Sequence, residues 1–244
     1  MRIPRFYVPV TLASGARLRL PESTFHHAVR VLRLRVGAEL RVFNGQGGDY
    51  AAILEHIERR TAWVTIGDFS ASERESPLMV TLLQGIARGE RMDYSLQKAV
   101  ELGVTRIQPL MCARSAGPLT HERLAKRMHH WHGVIIGACE QCGRNRLPEL
   151  ADPLTLRQWL VDKPDIGQGL QLDPAATVGL TALVTPSQQL SLLVGPEGGL
   201  DAAERAEATA AGFIGVQLGP RVLRTETAGI AALAAVQALW GDLG

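Results

Sequence analysis

Two glycine-marked loops carry the side chains best suited to chemistry. The first is Leu193-Val-Gly-Pro-Glu-Gly-Gly-Leu200. It follows an apolar run that reads as a buried strand, and it leads into Asp201-Ala-Ala-Glu204, a capping-box-like helix start. Gly195, Gly198 and Gly199 allow backbone N–H groups to approach a ligand closely, and Glu197 adds an acceptor within the loop. The spacing is neither that of a dinucleotide fingerprint nor that of a Walker loop. An anionic glutamate in the loop also speaks against phosphate. It suits a ligand that carries donors or positive charge, such as an amino group, a ribose hydroxyl or a sulfonium. The second loop is Leu218-Gly-Pro-Arg-Val-Leu-Arg-Thr-Glu-Thr-Ala228, where Arg221, Arg224 and Glu226 crowd a Gly-Pro turn ahead of a helix beginning near Thr225. The plain alternative is a surface Arg224–Glu226 ion pair worth under ~1 kcal/mol. Charges packed into a strand-end loop more often serve a site.

Three other clusters have chemical interest. Arg30, Arg33 and Arg35, with His26 and His27 just before them, are placed to track phosphates, the alternative being a solvated barrel face. Lys98 and Glu101 are spaced to pair on a helix. Cys139 and Cys142 form a lone Cys-x-x-Cys downstream of His129, His130 and His132. No second pair completes a tetrahedral set, so buried thiols and no metal are expected.

The elements that would position these residues fall into two textures. Residues 1–72 read as a small β-barrel-like domain, with strands at Arg17–Leu20, Glu39–Phe43 and Ala62–Ile66. One short helix is expected over Pro21–Leu32, capped by Ser23 or Thr24. The polar stretch Ser70–Pro77 is the linker. Residues 73–244 alternate strand and helix, which implies a mostly parallel sheet covered on both faces. Strands are expected at Leu78–Leu83, Arg106–Met111, Leu170–Leu172, Leu190–Val194 and Ile214–Leu218. Helices are expected at Asp93–Leu102, His121–Cys142, Leu154–Val161, Ala202–Ala211 and Thr225–Trp240. Both glycine loops then lie at the C-terminal ends of strands, where open α/β sheets bind ligands.

Composition sets the class. The chain of 244 residues is 46% apolar and 20% charged, ordinary for a globular protein. No apolar run suggests a membrane span or a secretory signal, and three cysteines do not make a disulfide framework. A cytoplasmic protein is expected. The net charge of +2 conceals an asymmetry. Residues 1–70 hold ten arginines and no lysine against six acids, a net of +4, while the remaining 174 residues have a net of −2. An Arg-only basic segment suits an anionic partner, because the guanidinium fork binds two phosphate oxygens at once.

Together these segments resemble one family. Gly195-Pro-Glu-Gly-Gly199 and Leu218–Ala228 are similar to the signature of the bacterial ribosomal RNA methyltransferase family RsmE. So, upstream, are His26-His-Ala-Val-Arg-Val-Leu-Arg33, Gln97-Lys-Ala-Val-Glu-Leu-Gly-Val104 and Glu140-Gln-Cys-Gly-Arg144. Five segments in order cover most of the chain. Two positions depart from the pattern: Arg88 replaces an expected lysine, and Cys142 a small polar residue.

The resemblance implies a PUA-like barrel followed by a SPOUT domain with a C-terminal trefoil knot, a homodimer, and S-adenosylmethionine as cofactor. It implies N3-methylation of a uridine in small-subunit (16S) ribosomal RNA as part of ribosome biogenesis. It places the cofactor on Leu193, Gly195, Pro196, Glu197, Gly198 and Gly199 of the first loop and on Leu218, Gly219, Val222, Leu223, Thr225 and Ala228 of the second. His26, His27, Arg30, Arg33, Arg35 and Arg88 would face RNA.

Uridine N3 needs to lose a proton before it can attack. Arg221 or Arg224 would donate to the uracil oxygens, and Glu226 or Glu197, whichever has its pKa raised, would take the proton. Competing readings are a ribose 2′-O-methyltransferase of the same fold class and a non-catalytic RNA-binding assembly factor. A nicotinamide-dependent oxidoreductase is the weakest, for want of its fingerprint.

Overall fold

The structure is a computed structural model that describes residues 3–115, 120–161, 165–186 and 188–244. The chain divides into two compact units, Met1–Glu75 with Cys139–Leu147, and Ser76–Ala138 with Pro148–Gly244. The sequence reading set the boundary three residues earlier, and it did not include the segment 139–147 in the first unit.

The first unit is a five-stranded sheet. Its strands are β1 (Arg5–Tyr7), β2 (Arg17–Arg19), β3 (Glu39–Phe43), β4 (Asp49–Ile57) and β5 (Ala62–Ser70), in the order β1-β3-β4-β5-β2. All pairs are antiparallel except β1–β3. β5 shows why these residues form strand: Ala62, Val64 and Ile66 alternate into the core, where they join Phe6, Val8, Leu40, Val42 and Leu54. β1 and β4 were not anticipated. The first spans only three residues, and the second mixes Ala51-Ala52 with acidic positions that have weak strand preference.

The helix expected over Pro21–Leu32 starts as α1 (Glu22–Phe25) and continues without a break as a π-helical stretch over His26–Val31. Pro21 precedes the first turn, and neither Ser23 nor Thr24 caps it. Thr24 lies inside the helix and donates its hydroxyl to the Tyr7 carbonyl at 3.2 Å. Arg33 follows with φ 55°, the left-handed geometry that usually falls to glycine after a helix.

The segment 139–147 completes this unit through polar contacts. Glu140 accepts from the Tyr7 N–H at 2.9 Å, and Asn145 both accepts from Arg5 and donates to the Ser72 carbonyl. Arg144 forks onto Glu75, with Nε 3.1 Å from both carboxylate oxygens. Asp49, buried, accepts from Arg5 and Arg41.

The second unit is a six-stranded, wholly parallel sheet, the layer predicted from alternating strands and helices. Its strands are β6 (Met79–Gly85), β7 (Arg106–Leu110), β8 (Glu149–Leu150), β9 (Gln168–Leu172), β10 (Gln189–Val194) and β11 (Ile214–Val216), ordered β11-β9-β10-β6-β7-β8. The helices are α2 (Glu90–Glu101), α3 (His121–Cys142), α4 (Leu156–Val161), α5 (Ala202–Ala210) and α6 (Thr225–Trp240). β8 was not anticipated, and β11 ends two residues before Leu218.

β10 is central: Leu190 through Val194 are all buried, as a strand covered on both faces requires. The chain runs outward from β6 to β8, then returns to the other side of β6 to build β9, β10 and β11. That reversal brings the C-terminal ends of β9, β10 and β11 together beside β6, the kind of position where open sheets form a crevice.

Candidate cofactor pocket and active site

A cavity of about 580 Å³ opens at these strand ends. Its walls are Gln171 to Pro174 at the end of β9, Val194 to Leu200 at the end of β10, and most of Val216 to Ala228 at the end of β11 and in the turn beyond it, with Arg91 and Arg205 beside them. Every residue expected to hold the cofactor lines it except Leu193, which is fully buried in the core against Leu83, Leu110 and Phe213. β-strand alternation sends its side chain away from the cavity. Arg221, Arg224 and Glu226 also line it.

The first loop is made of backbone for a steric reason. A Cβ on Gly195 would lie 2.9 Å from the Leu200 nitrogen and 3.0 Å from the Gly199 carbonyl carbon. On Gly85, at the end of β6, it would lie 2.5 Å from the Pro196 nitrogen. Gly199 has φ +68° and donates its N–H back to the Pro196 carbonyl at 2.8 Å, which turns the chain into α5. There the capping box is complete: Asp201 accepts from the Glu204 N–H at 2.8 Å, and Glu204 from the Asp201 N–H at 2.9 Å.

Thr225 joins the two loops. Its hydroxyl donates to the Gly195 carbonyl at 2.5 Å and accepts from the fully buried Gln84 amide at 3.1 Å.

The electrostatics separate the two acids. Glu197 accepts from the Arg88 N–H at 2.9 Å and from Arg91 Nη1 at 3.0 Å. Partial burial opposes its charge, but these hydrogen bonds and the Arg91 charge outweigh it and hold the carboxyl below its ordinary pKa. That removes Glu197 as a base with a raised pKa. Among the described residues Glu226 does not pair with Arg224: its ion-pair partner is Arg91, with Nε at 3.8 Å, and its Oε2 is buried without a hydrogen-bond partner. Gln171 Oε1 is likewise buried and unpartnered in the cavity wall. Unsatisfied acceptors beside a backbone cradle suit a ligand rich in donors and carrying positive charge. Arg221 and Arg224 are exposed at the rim.

The candidate RNA-facing residues divide between the two units. His26, His27, Arg30, Arg33 and Arg35 are exposed in the first unit. His27 Nδ1 is 3.6 Å from Glu140, and Arg30 donates to the Arg59 carbonyl while covering the Phe25 ring. Arg88 belongs to the second unit and sits beside the pocket through Glu197. Lys98 and Glu101 form the expected pair at 2.7 Å. Cys139 is buried, its thiol pushed up to about 12 chiefly by desolvation. No cluster of metal-ligating side chains occurs among the described residues.

Sequence reasoning passed over Arg91, Arg205, Gln171, Asp173 and Gln84. Their common signal is position: each lies at or just past the end of a strand, or opens the helix that follows a loop, where this sheet type gathers ligands.

A parallel sheet with a glycine-walled pocket at its reversal point, preceded along the chain by a small five-stranded unit, is the architecture of an RNA methyltransferase of the SPOUT class with a PUA-like domain, as the similar proteins show. Two families match in that order: an RNA methyltransferase PUA domain over residues 20–67 and an RNA methyltransferase domain over residues 74–237. The chain is 35% identical to ribosomal RNA small subunit methyltransferase E of Buchnera aphidicola over 99% of its own length and 98% of the relative's. Two solved structures, a methyltransferase from Legionella pneumophila and a ribosomal RNA small subunit methyltransferase E from Neisseria gonorrhoeae, are described as bound to S-adenosylmethionine. Each is 40% identical with complete coverage of both chains, at TM-scores of 0.96 and 0.92. The chain belongs to the ribosomal RNA small subunit methyltransferase E family.

Proposed function

We propose that this protein methylates N3 of a uridine in 16S ribosomal RNA, with S-adenosylmethionine as methyl donor. The observation that carries the cofactor is the cavity itself. The glycine backbone of 195–199 would cradle the ligand, Leu218, Gly219, Leu223 and Ala228 would face it from the second loop, and the unpartnered acceptors of Glu226 and Gln171 would meet its donors. When bound, the sulfonium supplies an activated methyl group, so the chain's main task is alignment of a nucleophile. Arg221 and Arg224 at the rim would donate to uracil oxygens and stabilise the charge that develops as N3 loses its proton. Glu226, the acid that Arg91 leaves with a free oxygen, is the group assigned to accept that proton.

His26, His27, Arg30, Arg33 and Arg35 of the first unit would bind RNA phosphates, and so would Arg88 of the second. The substrate is the small ribosomal subunit, and the compartment is the cytoplasm. No helix among the described residues is long and apolar enough to cross a membrane.

The decisive experiment offers labelled S-adenosylmethionine and small subunits lacking the modification, and identifies the product nucleoside by mass spectrometry. N3-methyluridine from the wild type, sharply reduced with Arg224→Ala, is the expected result. A ribose-methylated product would move the protein to the 2′-O reading, and absence of cofactor binding would leave the RNA-binding reading.

Two architectural features belong to the same proposal. The knot threads the C-terminal part of the chain through a loop, so single-molecule stretching from the termini should fall short of the full contour length; recovery of all of it would rule the knot out. A homodimer accounts for α6, which is apolar nearly all round yet leaves Ala238 and Leu239 exposed and Ala231, Ala234 and Ala235 half-buried. Light scattering at the mass of one chain would exclude the dimer.

A further inference from the structure

Arg91 opens the first turn of α2, outside both glycine loops, yet its guanidinium reaches an acid on each. Nη1 lies 3.0 Å from Glu197 Oε1 in the loop after β10, and Nε lies 3.8 Å from Glu226 Oε1 beyond the turn after β11. The same Glu197 oxygen takes the Arg88 N–H, so the first contact is fixed from two directions. Glu226 is the more enclosed acid, its side chain 13% exposed, and it has no other cation within ion-pair distance among the described residues. Arg91 also lines the cavity between them.

The charges around the cavity make this placement consequential. Glu197, Glu226 and Asp173 share the cavity lining with Arg91, Arg205, Arg221 and Arg224, of which Arg91, Arg221 and Arg224 are exposed. Arg205 is directed to the Leu200 carbonyl at 2.7 Å. The lining holds three acids and four arginines, yet among the described residues Arg91 alone comes within ion-pair distance of Glu197 and of Glu226. Without Arg91 the cavity would become more negative by one charge, and both acids would lose their only ion-pair partner among the described residues.

We infer that Arg91 is a positioning residue that holds Glu197 and Glu226 at their places and sets the charge of the cavity, so that it tunes discrimination between the cationic methyl donor and its neutral thioether product. The inference rests on the proposed use of S-adenosylmethionine. A lysine at this position keeps the charge but is a single point that cannot present Nη and Nε to two carboxylates at once.

The test measures affinity by calorimetry for S-adenosylmethionine and for S-adenosylhomocysteine, in wild type, Arg91→Ala, Arg91→Lys, Glu197→Gln and the Arg91→Ala/Glu197→Gln double variant. Thermal midpoints are recorded beside them. Arg91→Ala is expected to weaken the thioether by about tenfold and the sulfonium by distinctly less, because added negative charge favours the cation. Arg91→Lys should restore the ratio of the two affinities but not their absolute values. The double variant should fall short of the product of the single effects, since both substitutions remove the same contact.

Equal loss for both ligands, with additive effects of Arg91 and Glu197, would reduce Arg91 to a structural residue and overturn the inference. Wild-type affinities retained in Arg91→Ala would overturn it outright. Failure of the wild type to bind either ligand would instead strike the cofactor reading on which it stands.

Discussion

Gly195 shows how little freedom the pocket leaves at single positions. A methyl group there would overlap the backbone of residues 199 and 200, which has no rotamer by which to give way. Gly195→Ala is therefore expected to cost the loop about 1–3 kcal/mol and to weaken cofactor binding at least about tenfold; titration calorimetry showing wild-type affinity would remove the cradle from the account. Asp49 makes a second residue-scale case. Burial pushes its pKa up, but hydrogen bonds and charge from Arg41 and Arg5 outweigh that and leave it lowered. A folded value below the unfolded one means that Asp49 stabilises the fold at pH above its ordinary pKa, and that this contribution disappears as pH falls through the lowered value. Asp49→Asn leaves two arginines without their counter-charge and is expected to destabilise by roughly 3 kcal/mol, read by denaturant unfolding at neutral pH. The difference between wild type and variant should shrink as acid protonates Asp49. Glu197 and Glu226 were legible from their loops. Arg91 was not, because its partner Glu197 is 106 residues away and the contact exists only once the sheet has reversed direction.

At the scale of elements, sequence pattern was most informative where one mechanism dominates. α5 begins where Asp201 and Glu204 satisfy each other's N–H groups, and α3 and α6 run over the ranges expected for them. The same box predicts a measurable loss: Asp201→Ala should lower stability by about 1 kcal/mol and lower the thermal midpoint accordingly. Glu204→Ala should cost more, because Glu204 also accepts from the Ala113 N–H at 2.9 Å. Equal effects of the two would mean that the contact with Ala113 contributes nothing. Pattern failed where tertiary context overrode it. β4 forms from a segment containing Ala51 and Ala52 because β3 and β5 pair with it on both sides. The π-helical stretch at His26–Val31 has no compositional signal at all, since the wider turn lets Ala28 pack fully into the core while the histidines stay exposed.

Across the whole molecule, the charge asymmetry read from composition corresponds to a unit rich in exposed arginine and a unit that holds the pocket. If the first unit binds RNA through phosphates, replacing Arg30, Arg33 and Arg35 together with alanine should flatten the dependence of log affinity on log salt by about two units. Filter binding across a salt series measures it, and an unchanged slope would place the phosphate contacts elsewhere. The two-part order was legible in the switch from strand-rich to alternating texture. The composition of the first unit was not, because residues 139–147 join it from far along the chain.

That late contribution makes the N-terminal unit a poor cassette. A gene fragment ending at Glu75 would encode Arg5 without Asn145, the Tyr7 amide without Glu140, and Glu75 without Arg144. Recombination at the linker would therefore transplant an unfinished module, and successful exchange between relatives would need three crossovers, one at the linker and one on each side of residues 139–147.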